Sequence, residues 1–224
     1  MTYENKKILI VEDNIAEAIY AQSDVARAGF RDISVSQNLE SALNVLEREK
    51  YDYILSDLFF PIGNTNKDKY ISEIVPLYET YADRRFTKIT DEDNVIKRTC
   101  EHIAKSFGIT VEEYLEKLLP TMINIPKVIS AAKDAVYGRR DYEKYLKFQK
   151  TIAKVKDGSM FPSGLYVVEK ATELEIPIII VTSTYHHDAA FEAIRDKVNA
   201  PYIDTLEEDG RKNWSKGIEK LLKH

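Results

Sequence analysis

The first 61 residues switch repeatedly between short apolar runs and segments whose apolar positions lie three or four apart. KKILIVED (6–13) is an apolar run ending in two acids. NIAEAIYAQSDVARAGF follows, with Ile15, Ile19 and Val25 at helical spacing, and stops at Gly29. DISVSQ alternates as a strand does, LESALNVLEREK reads as a helix, and YDYILSDLFFP (51–61) is a third strand that ends at Asp57 and then at Pro61. The rhythm resumes at residue 162. SGLYVVEKATEL is a helix capped by Ser163, IPIIIVTS a β-branched buried strand and HHDAAFEAIRDKV another helix. PYIDT is a short strand and RKNWSKGIEKLLK a final amphipathic helix. Alternation of this kind predicts an α/β protein with a doubly wound, five-stranded parallel sheet and helices on both faces.

Residues 62–161 show no strand pattern of comparable strength. Ile96, Cys100, Ile103 and Phe107 recur on one helical face before Gly108, and Thr110 with Glu113 forms a capping box that opens VEEYLEKLL. Pro76, Pro120 and Pro126 are expected to break or kink this region. In DYEKYLKFQKTIAKVK, Tyr145, Phe148, Ile152 and Val155 lie opposite Arg140, Lys144, Lys147 and Lys154, which reads as an amphipathic helix with a solvated basic face. The expected organisation is therefore 1–61 and 162–224 as the two parts of one α/β domain, with 62–161 as an all-helical insertion of four or five helices.

Charge sharpens that division. The net charge of -5 hides a middle, from Ile62 to Met160, with 18 Lys and Arg against 15 Asp and Glu; the remainder has 14 against 22. A single cysteine, Cys100, excludes an intramolecular disulfide, and its place on an apolar helix face predicts packing rather than reactivity. The N-terminus lacks the pattern of a secretory signal, and no run reaches the length of a bilayer span, so a cytoplasmic protein with no membrane partner is expected.

A buried strand tolerates a carboxylate only where it emerges, which puts Asp57 on the rim of the sheet. In an open parallel sheet ligands bind beyond the carboxyl ends of the strands, where strand order reverses. For the order 2-1-3-4-5 that crevice lies between the first and third strands, which end in Glu12-Asp13 and in Asp57. Three converging carboxylates repel one another unless a proton or a cation intervenes, and an oxygen-only, acid-rich site suits Mg²⁺. Thr182 and Ser183 end the fourth strand beside the same crevice. A carboxylate nucleophile, a hard cation and a hydroxyl are the parts needed to accept a phosphoryl group.

KKILIVEDN, YDYILSDLFFP and IPIIIVTS resemble the receiver domains of two-component response regulators. In that family an acidic pair follows the first strand, a phosphorylated Asp ends the third with a Pro four residues on, and a Thr or Ser ends the fourth. Glu12 and Asp13, Asp57 and Pro61, and Thr182 stand in that order. The resemblance covers both flanks and none of the middle, and it implies a flavodoxin-like fold of order 2-1-3-4-5. It further implies Mg²⁺ held directly by Asp13, through water by Glu12 and by the backbone carbonyl of Phe59, with Asp57 in the same ligand set. Thr182 would be the switch that contacts the phosphoryl group and Tyr202 the aromatic that follows it inward. The phosphoryl donor would be a sensor histidine kinase or a phosphotransfer protein. With no output domain after the last helix, the effect would reach an unknown downstream protein by contact through the insertion. A homodimer could form through the face built from the helix after the fourth strand, the fifth strand and the last helix.

Two departures from the family stand out. Its members continue from the Pro through a short loop to a Gly that opens the next helix, whereas here Pro61 and Gly164 are separated by the whole insertion, with FFP (59–61) and MFP (160–162) as near-echoes on either side. The family also ends its fifth strand with a Lys; PYIDTLEEDG offers Thr205 there, leaving Arg211, Lys212 or a cation from the insertion as substitutes.

Three functional classes are consistent with these residues. The first is a stand-alone phosphoacceptor that is not itself an enzyme. The second is a pseudo-receiver that binds partners without being phosphorylated. The third is a haloacid-dehalogenase-like phosphatase, which would need an acid two residues after Asp57, where Phe59 stands. His186 and His187 fit a polar loop better than a metal site, because they have no Cys or further His at ligand spacing; His102 and His224 carry no catalytic signature. No nucleic-acid motif is present, and nucleic acid is not expected as a partner.

Overall fold

The computed structural model describes residues 3–223 apart from 65–66, 87–90, 124, 127, 130–131, 133–134, 136–138 and 186. Five parallel strands, β1 (Lys7–Val11), β2 (Asp32–Ser36), β3 (Tyr53–Ser56), β4 (Ile178–Val181) and β5 (Tyr202–Ile203), form one sheet in the order β2-β1-β3-β4-β5. Ile8 to Val11 and Ile178 to Val181 are buried along their length, as expected of strands covered on both faces. The register pairs Val11 with Ser56 and Ser56 with Ile180, so that the residues following these strands emerge together at one edge.

Helices α1 (Ile15–Arg27) and α2 (Leu39–Arg48) follow the first two strands and open at Asn14 and Asn38, whose side chains accept N–H groups of the first turn. After β3 come α3 (Lys67–Arg85) and α4 (Asp91–Ser106), then α5 (Val111–Glu113) and α6 (Leu119–Met122) on either side of a π-helical turn at Tyr114–Leu118, and α7 (Arg139–Asp157). Helix α8 (Gly164–Glu173) precedes β4, the short α9 (Ala189–Glu192) and a 3-10 turn (Arg195–Lys197) follow it, and α10 (Trp214–Leu221) closes the chain. On one face of the sheet, Ala21 and Val25 of α1 and Trp214, Ile218 and Leu221 of α10 pack on Ile8, Ile10, Leu55 and Ile179. On the other, α2 packs on α8 and α8 on β3 and β4.

The chain divides into two compact units, one of Met1–Tyr78 with Thr151–His224, the other of Glu79–Lys150. The second has its own apolar cluster of Cys100, Ala104, Tyr114, Leu115, Leu119 and Ala132. Its capping box is formed: the Thr110 hydroxyl accepts the Glu113 N–H, and the Glu113 carboxylate accepts the Thr110 N–H at 3.1 Å. No helix among the described residues is long and apolar enough to cross a membrane.

Several local expectations are corrected. In α1 the buried residues are Ala18, Ala21 and Val25, while Ile15 and Ile19 are 66% and 57% exposed; small side chains bring the helix close to the sheet and turn the larger ones outward. In α4 it is Ala104 beside Cys100 that turns inward, and Phe107 is exposed. Pro76 does not end α3, which runs through it, and Pro120 does not end the run begun at Val111, where it lies in α6 directly after the π-helical turn. HHDAAFEAIRDKV yields only the four-residue α9 and the 3-10 turn, before Pro201 excludes further helix. Ser163 does precede α8, yet its hydroxyl donates to the Phe60 carbonyl at 2.7 Å rather than capping the helix.

That last bond belongs to a join between the two FP segments. Phe60 bridges Pro162 in parallel, the Phe60 N–H donates to the Phe161 carbonyl at 3.0 Å, and the Gly164 N–H donates to the Leu58 carbonyl at 3.0 Å. Residue 164 has no room for a side chain: a Cβ there would lie 2.5 Å from the Asp57 carbonyl oxygen and 2.9 Å from Leu58 Cα.

Candidate functional site

At the emerging edge, Asp57 donates its backbone N–H to the Val11 carbonyl at 2.8 Å, and Glu12 donates its own to Ser36 at 2.9 Å. Those two bonds extend the ladder one residue beyond β1 and β3, so the side chains of Glu12, Asp13 and Asp57 meet at the end of the two central strands. Each offers one carboxylate oxygen, and the three oxygens lie within 4.8 Å of one another. Among the described residues this is the one group of three or more Asp, Glu, His or Cys that could hold a metal ion. Glu12 and Asp57 are buried and Asp13 is exposed, so the group is closed at its base and open on one side.

The base is closed by Lys212. Its ammonium lies 2.7 Å from Asp57 Oδ2 and also bonds Glu12 Oε2, with the Lys212 side chain 5% exposed. The remaining oxygens have backbone partners. Asp57 Oδ1 accepts the Leu58 N–H at 2.6 Å, and Glu12 Oε1 accepts the Asn14 N–H at 2.9 Å. Burial, with the charge of Asp57 adding to it, pushes Glu12 up to about 7 against the opposing pull of Lys212. Burial and then Asp57 likewise raise Asp13 above the usual carboxylate range. For Lys212 burial favours the neutral form, but Asp57 and Glu12 outweigh it and hold the ammonium above its ordinary value. β5 ends without a lysine, as its sequence indicates, and of the substitutes that the sequence offers it is Lys212 that reaches the site, from the following hairpin.

Three carboxylates and one ammonium carry a formal excess of two negative charges. A divalent cation on the open side, next to Asp13, would cancel it with oxygen donors alone, so the donor set fits a hard cation such as Mg²⁺.

Thr182 stands just beyond β4, 1% exposed, donating its N–H to the Ile203 carbonyl at 2.9 Å and accepting the Thr184 N–H on its hydroxyl at 3.1 Å. Phe59 lies half-buried in the loop after Asp57. Tyr202 opens β5, half-buried, with its ring 5.1 Å from that of Phe191. His187 is exposed, its ring packed against Tyr185, and His186 lies outside the described residues.

Residues with no site signal of their own hold Lys212 in place. Leu206 and Lys212 form an antiparallel bridge around a turn at Asp209-Gly210, where Gly210 has φ of +86°. The Glu17 carboxylate on α1 accepts the Lys212 N–H at 3.3 Å and the Trp214 indole N–H at 2.9 Å. The Asp-Gly dipeptide, a strong hairpin signal, was the clue in the sequence that residues 206–212 fold back on themselves.

No protein-family model matches the chain, and no match is found among curated proteins or solved structures.

Proposed function

We propose that the protein is a receiver-type phosphoacceptor in which Asp57 takes a phosphoryl group, with Glu12 and Asp13 as the anchor for Mg²⁺. The observation that carries this reading is Lys212, buried and bridging Asp57 and Glu12, because a carboxylate nucleophile needs a fixed cation beside the oxygens it will share with phosphorus. In the reaction a carboxylate oxygen of Asp57 attacks phosphorus. The bond from phosphorus to the donor atom breaks, and the donor leaves as neutral imidazole from a phosphohistidine protonated on its other ring nitrogen, or as acetate from acetyl phosphate. Bound Mg²⁺ supplies charge neutralisation on the phosphoryl oxygens. Lys212 pairs with the acyl phosphate on its buried side, the Leu58 N–H orients the carboxylate, and the Thr182 hydroxyl donates to a phosphoryl oxygen.

On this reading the five-stranded unit is a flavodoxin-like receiver domain and Glu79–Lys150 belongs to a helical insertion between its third and fourth strands. The phosphoryl donor is a sensor histidine kinase or a phosphotransfer protein, and the downstream partner is reached by contact. The buried lysine favours phosphorylation over a pocket that merely binds. Phe59, where the phosphatase class places its general acid, has no titratable group.

Incubation with acetyl phosphate and Mg²⁺ tests the reading by intact mass. A phosphoryl increment is expected in the wild type and none in Asp57→Asn or in the presence of a chelator. An unlabelled wild type, under conditions that label an ordinary receiver, would leave the pocket as a binding module.

A further inference from the structure

Lys212 lies outside the sheet. β5 ends at Ile203, and the lysine comes after a hairpin whose own bonds, Glu207 N–H to the Arg211 carbonyl at 2.8 Å and Gly210 N–H to the Glu207 carbonyl at 3.0 Å, tie the hairpin only to itself. A strand-end residue inherits its position from ladder hydrogen bonds; a residue on a hairpin arm needs some other anchor.

The anchor is on α1. Glu17 accepts the backbone N–H of Lys212 on both carboxylate oxygens, each at 3.3 Å, and the Trp214 indole N–H on Oε2 at 2.9 Å. One turn further along the same helix, the Tyr20 ring lies 4.6 Å beneath the Arg211 guanidinium. The fully buried Trp214 fixes the chain on the far side. The same helix begins directly after Asp13 and is capped by Asn14, so the element that follows the acidic pair also holds the lysine that neutralises it.

We propose that Glu17 is a positioning residue for the phosphoacceptor site: by accepting the Lys212 and Trp214 N–H groups it holds the Lys212 ammonium on Asp57 and Glu12. The inference rests on the phosphoacceptor reading for its consequence in catalysis, but the placement of Lys212 is measurable without it. A lysine on a loosened hairpin arm reaches solvent and reacts; a lysine clamped between two buried carboxylates does not.

The experiment compares wild type, Glu17→Met and Glu17→Gln, all folded by circular dichroism, in two measurements. Met keeps the length and helix propensity of Glu without a strong acceptor, while Gln keeps one carbonyl oxygen. The first measurement is acetylation by an N-hydroxysuccinimide ester, read at Lys212 by peptide mass spectrometry with the exposed Lys6 as internal control. Glu17→Met is expected to label Lys212 about tenfold faster than wild type, and Glu17→Gln less than Glu17→Met, from the weight of a charge-assisted hydrogen bond. The second is the rate of phosphorylation by acetyl phosphate. It is expected to fall about tenfold in Glu17→Met and to recover in part in Glu17→Gln, with Mg²⁺ binding retained because its carboxylates are untouched. Should Glu17→Met fail to fold, Glu17→Ala carries the same comparison. Wild-type protection of Lys212 in a folded Glu17→Met or Glu17→Ala protein overturns the proposal. If wild type is not phosphorylated at all, the functional reading fails, and the acetylation rates still decide whether Glu17 positions Lys212.

Discussion

Lys212 faces Asp57 across 2.7 Å with the two side chains 5% and 7% exposed, so each charge is compensated almost wholly by protein. Removing one partner of such a pair leaves the other buried without its counter-charge, which is far more costly than losing an exposed ion pair. Lys212→Met is therefore expected to destabilise the protein by about 3 kcal/mol or more at pH 8. The deficit should shrink toward pH 6, where Glu12 takes up a proton and the repulsion falls. Urea denaturation at the two pH values measures both; a variant equally stable to wild type at pH 8 would show that the ammonium contributes nothing net.

Glu12 sets a pH dependence of its own. Its folded-state pKa, about 7, stands above the ordinary 4.5, so the folded form binds the proton more tightly than the unfolded chain. The stability from this group is complete below 4.5 and is lost as pH rises through 7, the reverse of a salt-bridged acid. In a chelator, melting temperatures of wild type and Glu12→Gln should diverge with rising pH over that window, with the variant relatively more stable at the top. Parallel curves would remove Glu12 as the titrating group.

On the proposed reading, a cation held by Asp13 and Asp57 would compete with that proton. The melting-temperature increase produced by saturating Mg²⁺ should be larger at pH 8 than at pH 6 in the wild type, and small at both in Asp13→Asn and Asp57→Asn. An increase independent of pH, or one that survives both substitutions, would place the bound ion elsewhere.

Gly164→Ala tests the join behind Asp57. The added methyl group meets backbone atoms, the Asp57 carbonyl oxygen at 2.5 Å and Leu58 Cα at 2.9 Å, and neither can rotate away as a side chain end could. A loss of about 1 to 3 kcal/mol is expected on denaturation and, if Asp57 is the phosphoacceptor proposed above, slower labelling by acetyl phosphate because the loop after it must move. Unchanged stability would mean that the loop and α8 separate more readily than their hydrogen bonds indicate.

In the Glu79–Lys150 unit, Thr110→Ala removes the hydroxyl half of a capping box at the start of a short helical run interrupted by a π-helical turn. The expected cost is about 1 kcal/mol, seen as faster amide hydrogen exchange across Val111–Met122 than in the wild type. Exchange unchanged there would assign the stability of that run to its apolar contacts alone.

The strands were legible because they are covered on both faces. ILIV and IIIV are apolar over their whole length and YILS is apolar up to its last residue, Ser56, a pattern that no helix has unless it too is buried. The acids at their ends were legible for the same reason: Glu12 and Asp57 interrupt runs that otherwise carry no charge, and parallel strands in register bring their ends together. Helix faces were read less well where size misled. Ile15 and Ile19 share a helical stripe in the sequence, but the face that meets the sheet is the one whose alanines allow close approach.

Lys212 lay beyond what local pattern determines. The sequence marks a turn at Asp209-Gly210 and offers Lys212 as one of several cations, but its role depends on that hairpin forming, on Glu17 of α1 accepting its N–H, and on Trp214 locking into the core. That certain stretches form buried strands, and that acids end two of them, are short-range properties that the residue order specifies by itself. The meeting of a lysine with two carboxylates from remote parts of the chain is settled only when the whole domain has closed, because its energy exists only once water has been excluded from all three.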